Sequence, residues 1–317
     1  MLQLDELCLA RGAEPVSLQC QPGEVTVVLG RNLSGKSALC RMVAGLDDPR
    51  GGRILIDGED QTGVATRERS VSMVYQAFVN YPHWTVAQNI ASPMVARGES
   101  GAALQAAVEE IAGVLGLGEF LERLPSALSG GQQQRLAIAR ALAKKARVLV
   151  MDEPLVNLDY KLRESLRDEL TDLAKRDDLV LLYTTSDPAE ALGIADQLLL
   201  LADNGFVQAG APMTVYREPV SPLAADLLSD PATNRLSLRG EEVCVRPEHV
   251  HLDRVAGDGI EAELVVSDTQ TSGSETHLFG TVAGAQWVVR LPGLKRFSAD
   301  APVTVYVREG DLLRFHG

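Results

Sequence analysis

Residues Gly30-Arg31-Asn32-Leu33-Ser34-Gly35-Lys36-Ser37 satisfy the spacing GxxxxGK[ST]. A run of this kind cradles phosphate. Gly30 and Gly35 let the backbone turn tightly, so that its N–H groups, through Arg31, Asn32, Leu33 and Ser34, face phosphate oxygens at a helix N-terminus. Lys36 is expected to reach the β and γ phosphates, and the Ser37 hydroxyl to coordinate Mg2+. Farther along, Asp152 and Glu153 follow the apolar run Val148 to Met151. A carboxylate at the carboxyl end of a sheet holds Mg2+ through water, and its neighbour polarises an attacking water. These roles fall to Asp152 and Glu153 respectively. A lone acidic pair would be only a strand cap; an upstream phosphate loop gives it chemistry.

The elements around these residues have the required order. Gly23 to Gly30 is a short β-branched and apolar run, read as a buried strand. Ser34 to Leu46 follows with apolar residues at helical spacing and Gly45 at its end. Arg53 to Asp60 reads as a second strand, and residues 99 to 124 carry helical periodicity broken by glycines. A stronger helix spans Gln132 to Lys145, and the carboxylates close the strand ARVLVMDEP. Residues 160 to 176 read as a helix leading to the strand DLVLLYTTS. Strands alternating with helices predict a largely parallel sheet covered on both faces. After about residue 225 the pattern changes to short β-rich runs separated by Gly, Pro and Asp: EEVCVRP, GIEAELVVSD, ETHLFGTV, QWVVRLP and APVTVYVREG. That predicts a small all-β domain, a barrel or sandwich, with a linker near 215 to 240 where Pro219, Pro222, Pro231 and Gly240 fall.

Composition removes several classes. The 317 residues suffice for one large core or two smaller ones, and 45% apolar with 23% charged content is that of a soluble globular chain. No run approaches the roughly 20 apolar residues that cross a bilayer, and the start MLQLDELCLARGAEP lacks the apolar core of a secretory signal. Cys8, Cys20, Cys40 and Cys244 form no close cluster, so disulfides and structural zinc are not expected, and a reducing cytosolic setting fits. His83, His249, His251, His277 and His316 have no metal spacing. The formal charge of -13 argues against a nucleic-acid partner, which calls for a basic stripe.

A second glycine segment, Leu128-Ser129-Gly130-Gly131-Gln132, precedes the helical QQRLAIARALAKKA and exposes backbone N–H groups to an anion. With LSGGQQQR, Gln76 in VYQAF, VLVMDEP and Asn157-Leu158-Asp159 in order, roughly the first 215 residues closely resemble the ATP-binding-cassette family. The resemblance implies an α/β P-loop NTPase cassette at 1–225, with a helical subdomain at about 80–145. It implies ATP and Mg2+ as cofactors, and hydrolysis of ATP to ADP and phosphate. It also implies a head-to-tail dimer. Lys36, Ser37, Asp152 and Glu153 then serve one site, and Ser129, Gly130 and Gly131, with Gln132 beside them, complete the opposite one. Gln76 would contact Mg2+ or the attacking water, and the helical segment from about 80 to 125 would receive a transmembrane subunit.

Val245-Arg246-Pro247-Glu248-His249 resembles a segment of the C-terminal domain of carbohydrate-importer ATPases of the maltose type. This implies a small all-β OB-like regulatory domain of the TOBE type at 235–317. Residues 74 to 93 resemble the corresponding stretch of glycerol and related importers, so import of a polyol or carbohydrate is expected, with glycerol first. Implied partners are two transmembrane permease subunits, a second ATPase and, indirectly, an extracytoplasmic solute-binding protein. The implied location is the cytoplasmic face of the bacterial inner membrane.

Three departures stand against the family pattern. YVTHD appears as Tyr183-Thr184-Thr185-Ser186-Asp187, so Ser186 stands where a histidine contacts the γ-phosphate; serine is shorter and cannot carry imidazolium charge. No aromatic precedes Tyr75 to stack on adenine, which leaves Arg11 as a candidate. Leu33 replaces a common glycine. These departures permit either a working ATPase with altered nucleotide contacts or the weaker member of a heterodimer; the resemblance to polyol importers, which often use two different ATPase chains, favours a heterodimer with a histidine-bearing ATPase over a homodimer. A regulatory subunit without useful turnover is the alternative; a DNA-repair or translation ATPase is a weaker one, since neither a coiled-coil insertion nor a second cassette is visible.

Overall fold

The structure is a computed structural model that describes residues 1–155, 160–176, 178–238, 240–254 and 258–315. The chain divides into two compact units, Met1–Pro212 and Met213–Gly317.

In the first unit the strands are β1 (Leu2–Cys8), β2 (Val16–Cys20), β3 (Val25–Leu29), β4 (Gly51–Ile56), β5 (Glu59–Asp60), β6 (Val71–Val74), β7 (Val148–Asp152), β8 (Val180–Thr185), β9 (Gln197–Ala202) and β10 (Gly205–Gly210). Its helices are α1 (Lys36–Ala44), α2 (Val86–Ala96), α3 (Gly101–Val114), α4 (Gly130–Ala143), α5 (Tyr160–Arg176) and α6 (Pro188–Ile194). The central sheet has the order β10-β9-β3-β8-β7-β6, parallel throughout except for β10. Every residue of β3, β7 and β8 is buried, which is why these strands read as unbroken apolar runs. Leu29 lies opposite Thr185, and Asp152 opposite Thr184, so the three strands finish at one edge. The phosphate loop and the acidic pair both leave from that edge, as expected of an open α/β sheet.

A separate antiparallel sheet, β2-β1-β4-β5, was not legible as such. The run Arg53 to Asp60, read as one strand, is a hairpin: Ile56 pairs with Glu59 across Asp57 and Gly58, whose φ angles are 51° and 84°. Two consecutive positive φ values make the tight turn that reverses a strand. The periodic stretch 99 to 124 keeps α3 only as far as Val114 and then turns through Gly116, with φ 61°. Helices α2, α3 and α4 pack on one another.

The second unit begins with two short helices, α7 (Pro212–Arg217, which starts at the dividing residue) and α8 (Pro222–Leu227). Its strands are β11 (Asn234–Leu238), β12 (Glu241–Val245), β13 (Val250–His251), β14 (Gly259–Thr271), β15 (Glu275–Val282), β16 (Ala285–Pro292), β17 (Pro302–Arg308) and β18 (Leu312–Arg314). The five β-rich runs read from the sequence correspond to β12, β14, β15, β16 and β17. With β11, β13 and β18 they form a five-stranded antiparallel sheet, β13-β17-β14-β15-β16, and a three-stranded one, β11-β12-β18, around a shared core that includes Val243, Leu264, Trp287 and Val305. Arg246 is buried within this unit, donating to the Tyr216 carbonyl at 2.6 Å, with its guanidinium 3.9 Å from the Tyr216 ring centroid. Planar stacking plus hydrogen bonding lets a guanidinium remain inside without a carboxylate.

Another buried arginine secures α1. Arg69, 2% exposed, donates to the carbonyls of Met42 (2.8 Å), Val43 (3.1 Å) and Val64 (2.8 Å). It faces the negative end of α1, donating to the Val43 carbonyl and adding a second donor to the Met42 carbonyl, which also accepts the Gly45 N–H at 3.1 Å. Gly45 ends the helix at φ 76°, and a Cβ there would lie 2.6 Å from Arg69 Nε. Arg69→Met is expected to destabilise the first unit by about 3 kcal/mol, because buried carbonyls lose their donor. Urea denaturation of the full chain tests this; an unchanged midpoint for the first unit would refute it.

Candidate active site

The loop after β3 is shaped by contacts only glycine permits. A Cβ on Gly30 would stand 2.2 Å from Ser34 Oγ and 2.6 Å from the Leu201 carbonyl. Gly35 has φ 106°, and its Cβ would meet Asn204 Cα at 3.0 Å. The Asn204 N–H donates to the Ser34 carbonyl at 2.9 Å, tying the loop to the β9–β10 turn. Leu33 is the departure: it holds φ 66°, the left-handed region that favours glycine, with its side chain 96% exposed.

Lys36 opens α1 and is 4% exposed. Its ammonium donates to the Gly30 carbonyl at 2.6 Å and the Arg31 carbonyl at 3.0 Å, and pairs with Glu153 Oε1 at 3.1 Å. Ser37 Oγ donates to Asp152 Oδ1 at 3.1 Å. Gln76, two residues beyond β6, donates to Glu153 Oε2 at 3.4 Å. Lys36, Ser37, Asp152, Glu153 and Gln76 are therefore one cluster. Gln76 is tied to Glu153 rather than to Asp152. Ser186 follows β8 directly, is exposed, and is carried to the loop because the Gly30 N–H donates to the Thr185 carbonyl at 3.4 Å. Thr185 Oγ1 donates in turn to the buried Glu190 carboxylate, which also receives Tyr183 Oη at 2.8 Å.

Two features suit this cluster to a phosphate chain and its metal. Helices α2, α4, α6 and α8 have first-turn amides capped by Thr85, Ser129, Asp187 and Ser221; α3, at Ser100, has no side-chain cap, and neither has α1, which starts at Gly35. Its first amides face the loop. Ser34 Oγ, moreover, is buried there without a hydrogen-bond partner. A hard cation finds oxygen donors in Ser37 and Asp152.

The structure does not bring Ser129, Gly130, Gly131 and Gln132 to this cluster. Ser129 and Gln132 form a reciprocal capping box at the start of α4: Gln132 N–H donates to Ser129 Oγ at 3.4 Å, and Ser129 N–H to Gln132 Oε1 at 2.8 Å. Arg31 and Asn32 are exposed loop residues, and exposed Arg11 lies in the β1–β2 turn. Asn157, Leu158, Asp159 and His316 lie outside the described residues. Thr184, which the sequence reading passed over, is fully buried: it donates to Asp152 Oδ1 at 3.0 Å and accepts from the Glu153 N–H at 3.0 Å. Its sequence signal is slight, since it is one of three consecutive hydroxyl-bearing residues, Tyr183 to Thr185, that end a buried strand.

Comparison with known proteins agrees with this geometry. Residues 13–156 match the ABC transporter family, and residues 243–315 match the TOBE domain. An uncharacterized ABC transporter ATP-binding protein, YcjV, of Escherichia coli O6:K15:H31 (strain 536 / UPEC) is 34% identical over 321 residues, covering 92% of this chain and 89% of that protein. The Fe(3+) ions import ATP-binding protein FbpC 1 of Rhizobium meliloti (strain 1021) is 38% identical, over 77% of this chain and 70% of its own length. The sn-glycerol-3-phosphate import ATP-binding protein UgpC 1 of Rhizobium johnstonii is 43% identical, over 70% and 60%. Among solved structures, the dimeric post-hydrolysis state of the ATP-binding cassette MJ0796 bound to ADP and Pi superposes with a TM-score of 0.60 at 26% identity, covering 67% of this chain and 99% of that one.

The chain belongs to the ABC transporter ATP-binding family. It is an ATPase that binds ATP with Mg2+: a P-loop cassette joined to a C-terminal all-β, OB-like TOBE domain.

Leu33→Gly is expected to raise stability by about 0.5–1 kcal/mol, since it relieves left-handed strain and removes no packing. Thermal unfolding measures it; a lower midpoint would assign the Leu33 side chain a contact of its own.

Proposed function

We propose that this chain powers import of a polyol or carbohydrate, with glycerol the first substrate to test, as a peripheral subunit on the cytoplasmic face of a bacterial membrane. The observation that carries the ATPase half is the convergence of Lys36, Ser37, Asp152, Glu153 and Gln76 at the uncapped start of α1. Import is supported by relatives whose names are import ATP-binding proteins, one for sn-glycerol-3-phosphate and one for Fe(3+). Among the described residues no helix is long and apolar enough to cross a membrane, so the path for solute falls to partners: two permease subunits, with a solute-binding protein acting through them. A groove lined by Tyr75, Tyr81, Trp84, Pro93 and Arg140, partly exposed and of mixed polarity, offers a seat for a permease segment near Gln76.

In this reading Lys36 holds the terminal phosphates, while Ser37, Asp152 and Gln76 hold Mg2+. The metal neutralises phosphate charge. Glu153 orients and deprotonates water, and Ser186 supplies a short polar contact where a longer cationic side chain would otherwise reach. Ser129, Gly130, Gly131 and Gln132 complete the site of a second ATPase. Ser186 favours that second ATPase being a different, histidine-bearing chain; the same residue leaves open a weakly catalytic or regulatory role for this one.

Glu153→Gln keeps the shape of the side chain and removes the base. ATP affinity is expected to stay within a few-fold while hydrolysis at this site drops about a hundredfold or more. The measurement is made on the membrane complex purified through a tag on this chain, with subunits counted by mass spectrometry. One copy of this chain beside a second ATPase and two permeases, with turnover lost in E153Q, is the expected result. Unchanged turnover would point to the partner's site, and absence of permeases from an intact complex would reject the transporter reading.

A further inference from the structure

The Thr184 hydroxyl sits between the two carboxylate-bearing residues of the site. β7 and β8 pair in parallel with Asp152 opposite Thr184, so the side chain needs no reach to arrive there. One hydroxyl then makes both bonds in a single orientation: its proton goes to Asp152 Oδ1, and its oxygen accepts the Glu153 N–H, each at 3.0 Å. Asp152 Oδ1 also takes the Ser37 hydroxyl at 3.1 Å, so two donors fix the plane of that carboxylate. Glu153 needs the support for another reason. Its φ is 46°, a conformation rare for a side chain of this size, and the bond to Thr184 anchors the peptide that adopts it.

Alternation along β8 separates this role from ordinary packing. Tyr183 and Thr185 send their hydroxyls to Glu190, while Thr184 points the other way, toward Asp152 and the buried Cys40. A valine, which the YVTHD pattern places at this position, would fill the same space and make neither bond.

Resting on the reading that Asp152 holds Mg2+ and Glu153 acts on water, we infer that Thr184 is a positioning residue for both. Its hydroxyl orients the Asp152 carboxylate toward the metal and holds the Glu153 backbone so that its side chain faces the phosphate loop. It touches neither nucleotide nor metal.

The test is Thr184→Val in the full-length chain, read first by equilibrium binding. ATP affinity is measured by calorimetry with Mg2+ and again with EDTA. T184V is expected to reduce the Mg2+-dependent gain in affinity about tenfold, the scale on which groups supporting metal ligands act, while affinity in EDTA stays within twofold. In the assembled complex kcat should fall about tenfold or more, with a smaller change in KM, and Thr184→Ser should restore both readouts. If T184V does not fold, Thr184→Ala is the second hydroxyl-deletion variant, with the same expectation. An unaltered Mg2+-dependent gain, or a T184S protein as impaired as T184V, would overturn the inference. Asp152→Asn is run in the same assay. If it too keeps the Mg2+-dependent gain, the metal role of Asp152 has failed; if it loses the gain while T184V does not, only the role of Thr184 has failed.

Discussion

A buried ammonium group must be surrounded by oxygen, and that requirement at Lys36 organises the first unit. Desolvating a cation costs several kcal/mol unless partners replace water. Lys36 finds three: two carbonyls of its own loop and the carboxylate of Glu153. The loop wraps the lysine with the Gly30 and Arg31 carbonyls turned toward its ammonium. Glu153 can reach the lysine only because β3 and β7 end at the same edge, with β8 between them. Charge satisfaction, strand register and phosphate chemistry are thus one arrangement seen at three scales.

Some backbone strain lies at the same place: Leu33 and Gly35 in the loop and Glu153, which pairs with Lys36, all adopt positive φ. Hydrogen bonds from a neighbouring strand and turn oppose that strain: Thr184 of β8 holds the Glu153 peptide, and Asn204 of the β9–β10 turn holds Ser34. Local backbone energy is spent where groups must be aimed, and the buried sheet supplies the restraint.

The cluster around Lys36 was legible because its parts are local. A glycine-flanked Lys-Ser after an apolar run, and an acidic pair ending another such run, reveal themselves within about ten residues. The fully buried strands were legible for the same reason, as were the five alternating runs of the second unit. What escaped depends on distant partners. The β1, β2, β4 and β5 sheet is built from short strands whose pairing joins residues far apart in sequence, and the Asp57-Gly58 reversal inside an otherwise strand-like run was passed over. Arg69 looks like a surface charge until its three carbonyl partners, one of them 27 residues away, are seen. Thr184 reads as β-branched strand filler, since nothing local reveals that the strand beside it ends in Asp152. Segment 215 to 240, rich in proline, contains α8 and β11 and lies within the second unit; proline here starts helices as well as interrupting them.

The grip of Arg69 on the end of α1 closes a mechanical ring. From Lys36 the path runs along α1, about 10 Å of stiff helix, to Met42 and Val43. It crosses through Arg69 to the start of β6, follows that strand out to Gln76, and returns through Glu153 to Lys36. Nearly every link is buried backbone or a short charged contact. The exception is the 3.4 Å bond from Gln76, made by an exposed side chain. The Gln76–Glu153 contact is thus the weakest closure of the ring, and the rest of the ring is held by backbone and buried charge.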